Sequence, residues 1–200
     1  MPSKKRPWLL ALKTLGVTAS IASLLVIYLP DLPVFGRFFY PFRYRTLIEQ
    51  QARHYGLDPL FVAAVIRQES GFRASARSHV GARGLMQLMP QTAAWASQKA
   101  GLKNFSVARL DDPATNIALG CWYLHYLFGQ FHDPALVLAA YNGGEGNLAY
   151  WGSLQGEHLA HAFPETQTYV ESGLRTYSRY QTLYGGEVAR VLPHRLKLEH

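Results

Sequence analysis

The chain has 200 residues, of which 48% are apolar and 16% are charged, and its formal net charge is +7. These proportions are typical of one ordinary globular domain with an additional, very apolar segment. The single cysteine excludes an intramolecular disulfide and a thiolate metal cluster. The first 40 residues alone hold five basic and one acidic side chain, so the positive excess does not indicate a nucleic-acid-binding surface.

The amino-terminal region predicts a membrane-spanning helix at residues 8–29. Of these 22 residues, 16 are apolar and only Lys13 is charged. A helix of that length extends roughly 33 Å, which is enough to cross a bilayer. Three basic residues lie in the preceding segment, residues 1–7, and such residues keep that end in the cytoplasm. The rest of the chain is therefore predicted to lie on the periplasmic or extracytoplasmic side.

A cleavable signal peptide is the alternative interpretation of this segment, because its uncharged part has the length of a signal core. The exit at residues 30–33 has two prolines and makes a poor cleavage site. A permanent anchor is therefore favoured. Residues 30–43 are predicted to form a linker, since three prolines and a glycine in residues 30–41 break a helix.

Residues 44–184 predict a mainly α domain of several helices. Asp-Pro pairs at positions 58–59, 112–113 and 133–134 combine a favourable N-cap with a proline at the first helical position. Cys121 lies within an apolar helical run, where we expect a small buried hydrophobe. Only the GARGLM stretch allows a short extended piece. A last helix is predicted to end near residue 184, before a glycine pair and a tail over residues 185–200.

Glu69 is the residue whose position indicates chemistry. It follows the apolar run of residues 59–66, so it lies at the carboxyl end of a helix beside an apolar wall. The negative end of the helix dipole and the loss of hydration both raise the pKa of a carboxyl group. A carboxyl group that stays protonated near neutral pH is suited to general acid catalysis. Taken alone, this segment also fits a solvated glutamate that merely ends the helix.

Two later segments offer groups that bind sugars. GLMQLMP supplies methionines and the amide of Gln87, and AAYNGGEGN places Tyr141 and Asn142 at a helix end. Amides bind hydroxyl and acetamido groups, and apolar faces pack on pyranose rings. His158 and His161 are three residues apart, but no third ligand is suggested near them, so no metal site and no cofactor are predicted.

Several motifs together resemble one known family. They are, in chain order, ESGF, the serine at Ser78, GARGLMQLMPQTA, NIALG, AAYNGG and ETQTYV. Their order and spacing are similar to those of the lytic transglycosylases of the soluble-transglycosylase type, over residues 44–184. The resemblance implies a goose-lysozyme-like fold, that is, a mainly α, lysozyme-like multi-helix domain after one N-terminal transmembrane helix.

The resemblance also implies an activity on peptidoglycan. The β-1,4 bond between N-acetylmuramic acid and N-acetylglucosamine would be cleaved without water, leaving a 1,6-anhydro-N-acetylmuramic acid end. Glu69 would protonate the glycosidic oxygen and then deprotonate the C6 hydroxyl of the sugar. Seven further positions match residues that line or shape the family's site, with Glu165 expected as a buried acid: Ser78, Gln87, Met89, Tyr141, Asn142, Glu165 and Tyr169.

One carboxylate is sufficient for this reaction. Ordinary glycosidases, with lysozyme as the type case, use two. Here the acetamido oxygen and the C6 hydroxyl of the substrate can replace the second group. A well-oriented attached hydroxyl acts at an effective concentration of order 10⁵ M, against roughly 55 M for bulk water.

Two alternatives remain open. A hydrolytic, lysozyme-like muramidase would need another acid, but the nearby aspartates resemble helix caps, and Glu145 and Glu157 lie in glycine-rich connections. A non-catalytic scaffold that binds peptidoglycan is the other alternative, which the presence of Glu69 disfavours.

The expected partners are peptidoglycan glycan strands and, through the anchor, the bacterial cytoplasmic membrane. An envelope-assembly protein that the sequence does not identify is a further candidate. Two departures from the family pattern leave the preference for peptide stems open. Arg73-Ala74 stands where many relatives have Asn-Pro, and Gly143-Gly144-Glu145 stands where many have Ala-Gly-Pro.

Overall fold

The structure is a computed structural model that describes residues 17, 18, 20, 23, 33–144 and 164–191. A short 3₁₀ helix spans Val107–Asp111. The helices with described bounds are α1 Pro33–Phe39, α2 Arg45–Tyr55, α3 Pro59–Ser70, α4 Pro90–Lys99, α5 Pro113–Phe131, α6 Pro134–Gly143 and α7 Pro164–Val191. The prediction of a mainly α fold is confirmed.

The chain divides into two compact units, Met1–Pro41 and Phe42–His200. Most of the predicted membrane segment, residues 8–29, lies outside the described residues. In the ranges that the structure does describe, no helix combines the length and the apolarity that crossing a bilayer requires. The prediction that prolines keep residues 30–43 free of helix is wrong, because Pro33 opens α1. Proline is tolerated at that position, where its missing N–H would have had no partner.

Local capping explains where the helices of the second unit begin. Asp58, Asp112 and Asp133 each accept backbone N–H bonds at the starts of α3, α5 and α6, and each precedes a proline. Such a cap stabilises a helix by about 1 kcal/mol. Gly56 ends α2 in the left-handed conformation, with φ 67°. These predicted helix starts are confirmed.

Helix α3 is the centre of the core and packs against α2 and α7. Every residue from position 59 to 66 is buried, so this helix is enclosed on all sides. Gly173 allows the close approach of α7, since a Cβ there would lie 2.9 Å from Leu138 Cδ1 and 3.1 Å from Gln68 Oε1. The contact brings α7 beside the carboxyl end of α3.

Helix α7 continues to Val191, so the prediction that it ends near residue 184 at the glycine pair is wrong. Tyr184 and Val188 are buried on its inner face. Glu187 forms an ion pair with Arg45 on α2, with 2.7 Å between the Arg45 nitrogen and the Glu187 oxygen. These tertiary contacts offset the cost of helical glycine, which is about 1 kcal/mol per residue.

The segment between α3 and α4, residues 71–89, is called the cleft loop below. Isolated bridges pair Arg83 with Arg77 and with Leu88, which confirms a short extended piece in GARGLM. Buried Asn116 on α5 holds this loop. Its Oδ1 accepts from the Met86 N–H at 2.8 Å, and its Nδ2 donates to the carbonyls of Arg83 at 3.0 Å and Leu110 at 2.9 Å.

Gly84 lies where the cleft loop meets α5. Its φ is +82°, and a Cβ would lie 2.0 Å from Asn116 Nδ2 and 2.2 Å from the Leu110 carbonyl oxygen. Gly81, in the same loop, has φ +94° but open space around the Cβ position. Substitutions at the two glycines therefore allow the cost of backbone strain to be measured separately from the cost of steric overlap.

We expect Gly81→Ala to lower the free energy of unfolding by about 1 kcal/mol, the cost of a left-handed alanine. Gly84→Ala has that cost, and its Cβ also displaces the loop from Asn116. We therefore expect its free energy of unfolding to fall by about 3 kcal/mol more than that of Gly81→Ala. Urea denaturation of both variants measures the difference. Equal losses would contradict the fixed contact between the cleft loop and α5.

Candidate active site

Glu69 is the penultimate residue of α3. Burial against the apolar core raises the pKa of its carboxyl group from 4.5 to about 7, although a hydrogen bond from Tyr169 opposes the rise. Loss of hydration disfavours the charged form of a carboxyl group, which is the direction that the sequence predicts. The group is therefore a mixture of acid and carboxylate near neutral pH.

Tyr169 on α7 positions this carboxyl group. Its hydroxyl donates a short hydrogen bond to Glu69 Oε1. The adjacent Gln68 donates from Nε2 to the backbone carbonyl of Tyr169 at 2.7 Å. Two consecutive residues at the end of α3 thus bind the same residue of α7, which fixes both the distance and the orientation of the pair.

Glu69 lies between two open lobes of one cleft. The main lobe has a volume of about 370 Å³ and an apolar wall that includes Leu88, Met89, Tyr123 and Tyr141. The side lobe has a volume of about 500 Å³, and its lining includes Arg73, Ser75 and Arg77. Glu69, Ser78 and Gln87 line both lobes.

The polar groups of the cleft are oriented by their own hydrogen bonds. Ser78 Oγ accepts from the Ala82 N–H at 2.9 Å, so its hydroxyl proton remains available. Gln87 donates from Nε2 to the carbonyls of Ala76 at 3.1 Å and Gly84 at 2.9 Å. The Oε1 atom of Gln87 is therefore the group available to a ligand, and it accepts rather than donates a hydrogen bond.

Tyr141 and Asn142 come from the end of α6 and line the main lobe. The Tyr141 hydroxyl donates to the Met86 carbonyl at 2.7 Å, and burial raises its pKa. Because that proton is used within the protein, only oxygen lone pairs are available to a ligand. Asn142 Oδ1 accepts from Thr166 Oγ1 at 3.2 Å, which leaves the amide nitrogen of Asn142 as a donor.

Glu165 does not take the expected position. The sequence predicted a buried acid that shapes the cleft, and this is wrong, because Glu165 is exposed in the first turn of α7. The next residue, Thr166, is only 4% exposed and makes the contact with Asn142. A carboxylate at a helix N-terminus is stabilised by the helix dipole without any ligand. The remaining predicted positions come together around the cleft.

The sequence did not single out two contributors to the cleft. Tyr123 on α5 lines the main lobe with its ring 5.4 Å from the ring of Tyr141. It lies in an apolar helical run, where an aromatic side chain does not stand out from core residues. Asn116 is fully buried and holds the loop that carries Ser78 and Gln87. A polar residue at a buried helical position is the signal that could have identified it.

Other predictions fall outside the site or outside the described residues. Cys121 is buried, and burial raises the pKa of its thiol, so the prediction of a small buried hydrophobe is confirmed. His158 and His161 lie outside the described residues, as do Glu145 and Glu157.

A family model described as Transglycosylase SLT domain matches residues 46–163. The soluble lytic murein transglycosylase of Escherichia coli (strain K12) is 34% identical over 157 residues, which cover 74% of this chain and 24% of that protein. The membrane-bound lytic murein transglycosylase C of Klebsiella pneumoniae is 37% identical over 118 residues, which cover 53% of this chain and 32% of that protein.

The fold is also similar to that of a solved structure, an inactive glutamate-to-glutamine mutant of the lytic transglycosylase Slt from Pseudomonas aeruginosa. The TM-score is 0.67 at 36% identity, and the match covers 74% of this chain and 25% of that chain. This chain therefore spans about a quarter to a third of the length of these relatives. The resemblance inferred from the motifs is confirmed.

We expect Tyr169→Phe to raise the pKa of Glu69 above about 7, because the lost hydrogen bond favours the carboxylate. Carbon-detected NMR titration of the glutamate carboxyl groups measures the value. Tyr177→Phe is the matched control, since it removes another hydroxyl of α7 that donates to Asp58 at 2.6 Å. An unchanged or lower Glu69 pKa in Tyr169→Phe would contradict the assigned hydrogen bond.

We expect Glu69→Gln to stabilise the fold at high pH. Below pH 4.5 Glu69 is protonated in both the folded and unfolded states, so the variant should differ little from the parent. Between pH 4.5 and about 7 the unfolded state releases the proton that the folded state still holds, so the parent loses stability across this window and loses no more above it. The variant should then be more stable by about 2 kcal/mol, after discounting for partial exposure. Thermal unfolding at pH 4 and pH 8 tests this, and a constant difference would refute it.

Proposed function

Because the chain belongs to the transglycosylase SLT domain family, we propose that it is a peptidoglycan lytic transglycosylase. It cleaves the β-1,4 bond between N-acetylmuramic acid and N-acetylglucosamine and leaves a 1,6-anhydro-N-acetylmuramic acid end. We place the catalytic domain at residues 44–184, and the family match covers residues 46–163 of that range. The observation that carries the proposal is a half-buried glutamate with a pKa of about 7, which lies between two lobes of an open cleft.

In the first step, Glu69 acts as the general acid. The raised pKa leaves a large protonated fraction near neutral pH, and the proton passes to the glycosidic oxygen as the bond to the anomeric carbon breaks. Tyr169 holds one carboxyl oxygen by its hydrogen bond, so the other oxygen remains for the substrate. The lone pairs of the Tyr141 hydroxyl stabilise the positive charge that develops on the ring.

In the second step, Glu69 acts as the general base. Among the described residues that line either lobe, Glu69 is the one carboxylate. The carboxylate formed in the first step accepts the proton of the C6 hydroxyl while that oxygen bonds to the anomeric carbon. The tethered hydroxyl outcompetes water through its effective concentration. The proton is thus returned, and Glu69 is ready for another cycle.

The substrate is held by complementary groups of the main lobe. The Gln87 oxygen accepts from a sugar N–H or O–H, and the Ser78 hydroxyl and the Asn142 amide donate to sugar oxygens. Met89, which is 41% exposed, provides an adaptable apolar surface for a pyranose face. These roles are consistent with an uncharged glycan in the main lobe.

We also infer that residues 8–29 anchor the protein in the bacterial cytoplasmic membrane, with the catalytic domain on the periplasmic side. The apolar length of this segment and the basic residues before it support the inference. One relative of this chain is named as membrane-bound. An anchor would confine cleavage to glycan strands close to the membrane.

The test is digestion of purified peptidoglycan by the full chain in detergent, with mass spectrometry of the products. We expect anhydro ends, which are lighter than hydrolysed ends by one water molecule. Glu69→Gln should lower their release by at least about 100-fold, because the acid and base are lost. Glu171→Gln, on the exposed face of α7, is the matched control and should keep full activity.

The other outcomes distinguish the alternatives. Reducing ends in place of anhydro ends would make the protein a hydrolytic muramidase. Retention of the strands without Glu69-dependent products would indicate a peptidoglycan-binding scaffold.

A further inference from the structure

The side lobe differs in character from the main lobe. Two arginines, Arg73 and Arg77, line it together with Ser75, whereas apolar and aromatic side chains line much of the main lobe. Both arginines belong to the cleft loop, and Glu69 lies at the boundary between the lobes. A cationic surface therefore begins beside the residue that protonates the substrate.

The positive charge of this surface is not neutralised within the described part of the chain. Asp111 pairs with both Arg77, at 2.9 Å, and Arg83, at 2.5 Å, so one carboxylate faces two guanidinium groups. Arg73 donates from Nε to the Ser70 carbonyl at 3.0 Å, which is a neutral acceptor. That bond anchors the side chain and leaves its terminal amino groups as donors for a ligand.

Under the proposed function, the chemistry of the substrate supplies an anion at this place. The peptide stem of peptidoglycan begins on the lactyl group of N-acetylmuramic acid, which is the same ring whose glycosidic bond is broken. The stem must leave the cleft close to Glu69 and carries free carboxylates. We propose that the side lobe binds a carboxylate of the peptide stem through Arg73, supported by the positive charge of Arg77, so that strands with stems are preferred to bare glycan.

This inference rests on the proposed function and adds a specificity determinant to it. The contact is a charge-assisted hydrogen bond in a lobe open to water, so it favours one substrate over another without being required for bond cleavage. The Debye length is about 10 Å at 0.1 M salt, so the preference should weaken as ionic strength rises. Sugar binding in the main lobe has no such dependence.

The experiment uses the full chain in detergent and two substrates. One is glycan strands with their peptide stems, and the other is the same strands after an amidase has removed the stems. The release of anhydro ends gives kcat/KM for each. We expect Arg73→Gln to lower kcat/KM about three- to tenfold on strands with stems and to leave it within about twofold on bare strands. Arg73→Lys, which keeps the charge, should recover part of the loss.

Arg175→Gln is the matched control, because it removes an equal charge from the exposed face of α7, where Arg175 pairs with Glu171 at 3.4 Å. A third substrate, strands whose stem carboxylates are converted to amides, removes the partner charge without changing the protein. We expect the parent chain to have about the same kcat/KM on this substrate as on bare strands. This arm keeps the proposal testable even where Arg73→Gln does not fold.

An equal loss of kcat/KM on both substrates in Arg73→Gln would overturn the proposal, because Arg73 would then only stabilise the cleft loop. A parent chain that does not distinguish amidated from free stems would overturn it as well. In both cases anhydro ends would still form, so the proposed function would stand. If the parent chain released no anhydro ends from any strand, the proposed function would fail, and this inference would fail with it.

Discussion

The protonation of Glu69 depends on the packing of α7 against α3. Gly173 permits the close approach, and Tyr169 then reaches Glu69 through its hydroxyl. Burial raises the pKa of the carboxyl group and the tyrosine lowers it, with burial the larger effect. A wider separation of the helices would admit water and lose the hydrogen bond together. The core of the protein is therefore also what sets the chemistry of its cleft.

The other half of the site depends on one buried amide. Asn116 makes three hydrogen bonds to backbone groups of the cleft loop and of Leu110. Because the loop has little regular structure, these bonds replace a sheet or a helix as its support. The amide nitrogen of Gln87 donates to two carbonyls of the same loop, so its amide oxygen remains available to a ligand. The loop is consequently built to present fixed acceptors and donors.

The sequence was sufficient to predict features that depend on local chemistry. Asp-Pro caps, the apolar enclosure of α3 and the raised pKa of Glu69 follow from neighbouring residues. Features set by distant contacts were not predicted. The glycine pair after Tyr184 remains helical because Arg45 and the core hold that turn. The outward direction of Glu165 depends on the rotation of α7, which a motif does not specify.

In the mechanism that we propose, one carboxyl group can serve as acid and then base because its surroundings change during the reaction. A substrate that fills both lobes expels water, and desolvation then favours the protonated form more strongly than in the free protein. Once the proton is transferred, the new carboxylate faces a positively charged sugar ring, which lowers its pKa by direct attraction. Closure of the anhydro ring removes that charge and makes the carboxylate a stronger base at the moment when a proton must be accepted. The resting pKa of about 7 lets Glu69 hold a proton in an appreciable fraction of molecules near neutral pH and still release it.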